Sequence, residues 1–430
     1  MLARLVKSLF GVTFLLAVVI ILLAVVVIED APDVTAQAAP SPEDVATARR
    51  VVNDVKAAAG PGAAQPLVVT EADIEAVLRL GVRMIPGFRG AVTVEKGMLT
   101  MRASVPVPLP GPQRWLNMTV SVPQFEDRVM LRRAELGPVA IPPGLALELG
   151  RIGANAVLGG GLGDTAMEAA SGMRVAGKTV AVDLKLNEIG KNGLLRGVFG
   201  ALRSGNMPSP GLIDAYQLRI REAMEAGELR ESGSYLPYLV FTLEAAREGA
   251  RVEGGADAFT AAIFALARIC GAKDFSLVVG DMATGSADMS RDWQTDCSRL
   301  TLNGRIDSRR HFTTAAALQA ASNRDVSISV GEFKELYDTR YGGFDFTDMA
   351  ANNSGIRLAN LFMATPIGEW DRLIARIETE ADVIIPYADI PQKMTRAEFA
   401  DRFGEIDSAR YRAILDRIER KIDSLALHAP

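Results

Sequence analysis

The stretch LFGVTFLLAVVIILLAVVVI, residues 9–28, holds 20 residues without a charge. A helix of that length crosses a hydrocarbon core of about 30 Å. Arg4 and Lys7 precede it, and Glu29, Asp30 and Asp33 follow it. Positive charge is retained on the cytoplasmic side. The expectation is therefore a single-pass anchor in a bacterial inner membrane. It puts the N-terminus in the cytoplasm and the bulk of the chain in the periplasm. A cleaved signal peptide is the other reading, since Ala36-Gln37-Ala38 has the small-residue form of a cleavage site. Against it, the apolar run exceeds the usual signal core of about 7–15 residues. The first partner implied is the lipid bilayer, through residues 9–28.

The 430-residue chain is long enough for about two to three domains, each with a proper core. Hydrophobic residues make up 49% and charged residues 23%, an ordinary globular balance. The net charge of −5 comes without a basic patch, which argues against a nucleic-acid partner. Two cysteines occur, Cys270 and Cys297. In an oxidising periplasm they can pair; as two separate thiols they would be packing residues, and spacing does not decide between these. No C-x-x-C spacing suggests a cysteine metal site.

Periodicity divides the chain into residues 1–28 (tail and anchor), 29–41 (polar spacer), 42–202 (an α+β domain), 203–211 (linker) and 212–430 (helical domain). The fold class expected is α+β, with an N-terminal transmembrane helix, an antiparallel-sheet domain and an all-α domain. Ser41-Pro42-Glu43-Asp44 opens a helix: serine caps, proline fits the first turn, and acids favour the positive end. Thr70 and Asp73 form a capping box before a second helix. Val92 and Val94, then Glu95-Lys96-Gly97, then Leu99, Met101, Ala103 and Val105 spell a hairpin. WLNMTVSV and VMLRRAEL suggest two further strands, followed by a helix over residues 144–158. Beyond 211 the expected helices are 213–225, 236–248, 257–270, 309–321, 326–338, 348–364, 370–380, 396–403 and 408–425.

The segment GMRVAGKT, residues 172–179, fits the phosphate-loop pattern letter for letter. That loop must run from a strand into a helix. Here TVAVDLKL follows, alternating apolar and polar as a strand does. GDTAMEAAS before the motif reads as helical or irregular, so Gly177-Lys178 is expected to be a turn into that strand, and no nucleotide cofactor is expected. The sequence also lacks G-x-S-x-G and H-E-x-x-H.

Chemistry concentrates in one region. The chain has two histidines. His428 lies in the tail and is expected to be solvated. His311 lies in a small-residue helix, and Glu332, Glu335 and Asp338 follow at helical spacing. Asp345 and Asp348 come after a Gly342-Gly343 turn, with Asp348 the expected N-cap of the next helix. The elements His311-Phe312, Lys334-Glu335-Leu336-Tyr337-Asp338, Gly343-Phe344, Phe346, Asp348-Met349-Ala350 and Gly355 resemble the YfiM-like envelope proteins of Gram-negative bacteria. The resemblance covers residues 212–427 and implies an uncharacterised helical envelope module. An Asp usual in that family is Asn352 here. The TEADIEAVL helix and the meander after it are similar to extracytoplasmic domains of the YpmS-like type, over residues 65–190.

A neutral imidazole with carboxylates suits a divalent metal or general acid–base chemistry. The candidate catalytic residues are His311, Glu335, Asp338 and Asp348. The candidate metal ligands are His311, Glu335 and Asp348. The same residues can instead lock helices together. The function expected is non-catalytic: an envelope scaffold or lipid-handling factor whose partners are envelope proteins or lipids. The alternative is a metal-dependent hydrolase.

Overall fold

The computed structural model describes residues 26–58, 66–158, 163–164, 167, 170–184, 208–272, 297–322, 324–339 and 343–429. The expected anchor therefore falls, but for residues 26–28, outside the described residues. So does most of linker 203–211. No helix among the described residues is long and apolar enough to cross a membrane. The chain divides into two compact units. Unit 1 comprises Met1–Ala38, Thr47–Val157 and Gly161–Lys191; unit 2 comprises Ala39–Ala46, Leu158–Gly160 and Asn192–Pro430. The architecture is α+β, with antiparallel sheets in the first part and a helical C-terminal part.

Unit 1 is built on two antiparallel sheets. The strands are β1 (Ile28–Glu29), β2 (Leu67–Thr70), β3 (Arg89–Glu95), β4 (Met98–Val107), β5 (Arg114–Pro123), β6 (Phe125–Glu126), β7 (Arg133–Leu136), β8 (Val139–Ala140), β9 (Ala170–Ala176) and β10 (Thr179–Leu184). One sheet runs β3-β4-β5-β7-β8, with β1 also paired to β5; the other runs β2-β10-β9-β6. Three helices accompany them: α1 (Pro42–Ala58), α2 (Glu71–Met84) and α3 (Pro143–Leu158). Strand alternation supplies the core. Val94 and Val122 from the first sheet meet Val69, Phe125, Met173 and Val180 from the second, the interdigitation expected of stacked sheets.

Local chemistry accounts for the elements. The Ser41 hydroxyl accepts from the Asp44 amide, and the Asp44 carboxylate accepts from the Ser41 amide, so α1 begins on a capping box. Thr70 and Asp73 do the same for α2. The turn between β3 and β4 uses Lys96 and Gly97, both at positive φ, as a tight two-residue hairpin requires. The phosphate-loop letters form another hairpin: Gly177 has φ +58° and Thr179 pairs with Ala176. The strand expected from VMLRRAEL is confined to its last four residues.

The expected polar spacer 29–41 is not free. Ile28 and Glu29 pair with Leu116 and Trp115. Asn117 accepts from the Asp33 amide and donates to Glu29 and the Ala31 carbonyl, and Ser104 accepts from the Val34 amide. Asn117 opens an N-x-T triplet, yet it is buried and spent on these bonds.

In unit 2, α4 (Pro210–Glu225), α5 (Leu236–Glu253) and α6 (Gly255–Cys270) precede α7 (Ile306–Ala321), α8 (Arg324–Asp338) and α9 (Phe346–Ala364). The short α10 (Trp370–Ile374), then α11 (Arg396–Phe403) and α12 (Ala409–Asp423), complete it. Every side chain from Ala258 to Cys270 in α6 is buried. A helix apolar on all sides is a core helix. The expectation of an all-α domain needs one amendment: Ser232–Ser234 (β11) and Arg299–Thr301 (β12) form a parallel pair. The helix expected over residues 370–380 stops at Ile374. Asp382 accepts from the Glu378 and Thr379 amides and the Thr379 hydroxyl, which holds that stretch in a cap instead. Cys270 and Cys297 are joined in a disulfide, Cα to Cα 5.2 Å.

Candidate functional site

The region singled out by the sequence lies where α7, α8 and α9 meet. Gly355 sets the α7–α9 crossing: a Cβ there would overlap the Phe312 carbonyl oxygen. Gly331 does the same between α8 and α9, since its Cβ would lie 2.5 Å from Asn352 Nδ2. Ala315, Ala316 and Ala317 add to the small-residue packing of α7. This close approach brings His311, Glu335, Asp348 and Asn352 together.

The loop before α9 is pinned by aromatic side chains. Phe344 and Phe346 are fully buried and pack on Phe399, Phe403 and Tyr411. Phe344 also exchanges backbone hydrogen bonds with Met394. The G-aromatic-x-aromatic pattern thus acts as a plug that fixes the residues between and after its rings. Asp345, not Asp348, is the N-cap of α9: its Oδ1 accepts from the Thr347 amide at 2.9 Å and the Thr347 hydroxyl at 2.6 Å. Asp348 lies in the first turn and is buried, free of the capping duty expected of it.

His311 is 4% exposed, Glu335 1% and Asp348 4%. His311 Nδ1 is 3.0 Å from Asn352 Oδ1. Its Nε2 lies 3.3 Å from Asp348 Oδ2 and 3.7 Å from Glu335 Oε1. Neither His311 Nε2 nor Glu335 Oε1 has an aligned hydrogen-bond partner. The other oxygens are occupied. Glu335 Oε2 accepts from the Asp345 amide at 3.1 Å, and Asp348 Oδ1 lies 3.3 Å from Arg305. Arg305 also binds Asp345 and the Thr347 hydroxyl and stacks over Tyr387.

Electrostatics separates the two carboxyl groups. Burial pushes Glu335 up to about 8, against the opposing pull of His311 and Lys334. Burial also acts to raise Asp348, but His311 and Arg305 outweigh it and hold its carboxyl below the usual range. Burial opposes charge on His311, yet Asp348 prevails and the net shift is upward. At neutral pH the group that gives way is Glu335, which burial favours protonated.

His311, Glu335 and Asp348 therefore form a true cluster. Asp338 does not join it directly. It binds Lys334 at 2.9 Å, and Lys334 reaches Glu335 Oε1 at 3.5 Å, so Asp338 is linked through the ammonium. Glu332 is buried on the same helix and accepts from the Tyr411 hydroxyl at 2.8 Å. His428 is not solvated as expected: it is half-buried, and burial, assisted by Arg357, lowers it to about 4. Sequence reasoning missed Arg305 and Asp307. Asp307 sits one turn before His311, and the ligand atoms of Asp307, His311 and Asp348 lie within 4.8 Å of one another. The signal for Asp307 was its i, i+4 spacing to the only helical histidine.

No protein-family model, no curated protein and no solved structure matches the chain.

Proposed function

We propose that this protein is a bitopic inner-membrane protein of a Gram-negative envelope that works without catalysis, as a lipid-handling factor or scaffold in the periplasm. The uncharged run at residues 9–28, flanked by Arg4 and Lys7 on one side and acids on the other, supports the anchor and its orientation. The Cys270–Cys297 disulfide suits an oxidising compartment. The YfiM-like and YpmS-like resemblances stand with this reading.

The observation that carries it is the distribution of apolar surface. Among the described residues, eleven of the fifteen exposed large hydrophobic side chains belong to unit 1. Three form a stripe on α3: Leu145, Leu149 and Ile152, exposed by 53%, 52% and 56%. Their spacing of four and three places them on one helical face. Glu148, Arg151 and Asn155 occupy the neighbouring face and bind one another or Asp164. Exposed contiguous apolar surface marks an interaction site, and an amphipathic helix of this kind suits a bilayer interface. The chain leaving the apolar run packs at Val27 against Gly137, in the turn between β7 and β8. Gly137 lies six residues before α3 begins at Pro143. Lipid handling by α3 is therefore favoured over a pure scaffold.

The hydrolase reading has less support. A hydrolase must expose its acid, base or metal to substrate, and His311, Glu335 and Asp348 are nearly completely buried. Photoactivatable phospholipid, incorporated into nanodiscs with the full chain, tests the proposal. Crosslinks are expected on α3 near Leu145–Ile152 as well as in residues 9–28. Crosslinks confined to 9–28 would remove the lipid-handling role and leave the scaffold.

A further inference from the structure

At the α7–α8–α9 junction two buried polar atoms, His311 Nε2 and Glu335 Oε1, have no hydrogen-bond partner. His311 Nδ1 is held by Asn352 Oδ1, and Nε2 faces Asp348 Oδ2 at 3.3 Å and Glu335 Oε1 at 3.7 Å.

We propose that Asp307, His311 and Asp348 hold one divalent cation of the zinc class, with Glu335, 3.7 Å from His311 Nε2, as the fourth ligand. Four observations carry the assignment. Ligands about 2.0–2.1 Å from a tetrahedral zinc lie roughly 3.3 Å from each other. The separations from Nε2 are 3.3 Å to Asp348 and 3.7 Å to Glu335, and the ligand atoms of Asp307, His311 and Asp348 all lie within 4.8 Å of one another. Two of the donor atoms, His311 Nε2 and Glu335 Oε1, are buried without a hydrogen-bond partner. Glu335 Oε2 is held by the Asp345 amide and Asp348 Oδ1 faces Arg305, which aims Oε1 and Oδ2 inward. The Asn352 amide fixes the imidazole by its other nitrogen, as metal-bound histidines require. Asp307, one turn before His311 and exposed, completes the donor set within reach of His311 and Asp348.

Lys334 is the competitor for Glu335 Oε1, at 3.5 Å. It keeps the shorter pair with Asp338 when the cation takes that oxygen. A cation with four protein ligands in a buried cluster is a structural one, tying three helices together rather than activating water. The site stands independently of the lipid-handling proposal, since it lies in unit 2 and requires no membrane.

Cobalt(II) is the probe. The full chain, purified in detergent and stripped with a chelator, is titrated with Co2+ and then with Zn2+. Expected are one equivalent bound, the intense visible absorption of four-coordinate cobalt, bleaching by Zn2+, and a rise in melting temperature with either ion. Asp348→Asn and His311→Gln abolish the band. Asn352→Ala, which removes only the imidazole's support, weakens binding by about 10–100-fold. The wild-type titration decides by itself even if a variant fails to fold. Absence of a saturable one-equivalent phase overturns the proposal and leaves protons on Glu335 and His311 as the neutralising species. A phase of equal strength in folded Asp348→Asn overturns it too, because the ion then binds elsewhere.

Discussion

Unit 1 and unit 2 treat apolar and polar side chains in opposite ways. Unit 1 leaves apolar side chains outside, on α3 and on strand faces such as Val68 and Met101, while its buried Asn117, Ser104 and Asp73 are used in hydrogen bonds. Unit 2 surrounds the wholly buried α6 with further helices and then places His311, Glu335 and Asp348 in the same interior. A thin pair of sheets can bury one face of each strand and no more. A helical body with a central helix has interior to spare, and it spends some of it on charge. Apolar exposure therefore points outward to a partner surface in unit 1, and buried charge points inward to an ion or to protons in unit 2.

The largest test of that contrast is Phe346→Ala. Phe346 is fully buried among Phe344, Phe399, Phe403 and Tyr411, and it leads into Asp348. Loss of about 3–5 kcal/mol is expected. Hydrogen exchange should show the loss in unit 2 while the β3–β5 amides stay protected; equal loss of protection in both units would break the comparison.

Removing the disulfide comes next. Cys270→Ala with Cys297→Ala opens a loop closed across 27 positions, with an expected cost of roughly 3 kcal/mol in the chain-entropy picture. Urea unfolding followed by the fluorescence of Trp293 and Trp370, with Trp115 replaced by Phe, reads unit 2 alone. An unchanged midpoint would mean that the helical packing stands without the bond.

A smaller effect is expected from acid. In the folded state His428 sits near 4, against 6.5 in the unfolded chain. As pH falls below 6.5 the unfolded chain takes up a proton that the native state refuses, so stability declines. The decline ends near pH 4, where both forms are protonated. With its partial exposure discounted, the loss is about 1 kcal/mol over that window. His428→Asn should flatten the stability curve there; a curve unchanged by the substitution would show that His428 is hydrated after all.

Leu149→Glu should have the least effect on folding, within about 0.5 kcal/mol, because the side chain already faces solvent. Its effect belongs to function: phospholipid crosslinking at α3 should disappear. A melting temperature several degrees lower would place Leu149 in packing and remove the contrast between the units.

Much of this fold was legible because it rests on local rules. The capping box at Thr70, the Lys96-Gly97 turn and the turn and strand that begin at Gly177 each follow from neighbours within a few residues, whereas the strand before Gly177 did not show. The candidate site was legible in part for the same reason: Glu335 and Asp338 share a helix, and Asp348 follows a glycine turn. What escaped was long-range. The residues 29–41 read as a spacer, because nothing local tells that Asn117, over 80 positions away, binds Glu29, Ala31 and Asp33. Residues 370–380 read as one helix because periodicity does not weigh the competing Asp382 cap. Asp348 read as a cap because the turn chemistry of Asp345-Phe346-Thr347 was passed over.

The sequence by itself determined most of the long helices and the main hairpin, the presence of a sheet part and a helical part, and the residue types available for chemistry. These depend on spacing and on side-chain chemistry along the chain. Only the tertiary structure decided that Cys270 meets Cys297, that Asp338 is drawn off by Lys334, and that Asp348 and Glu335 converge on His311 Nε2. Those meetings depend on how closely α7, α8 and α9 approach, and two glycines without side chains, Gly331 and Gly355, set that approach.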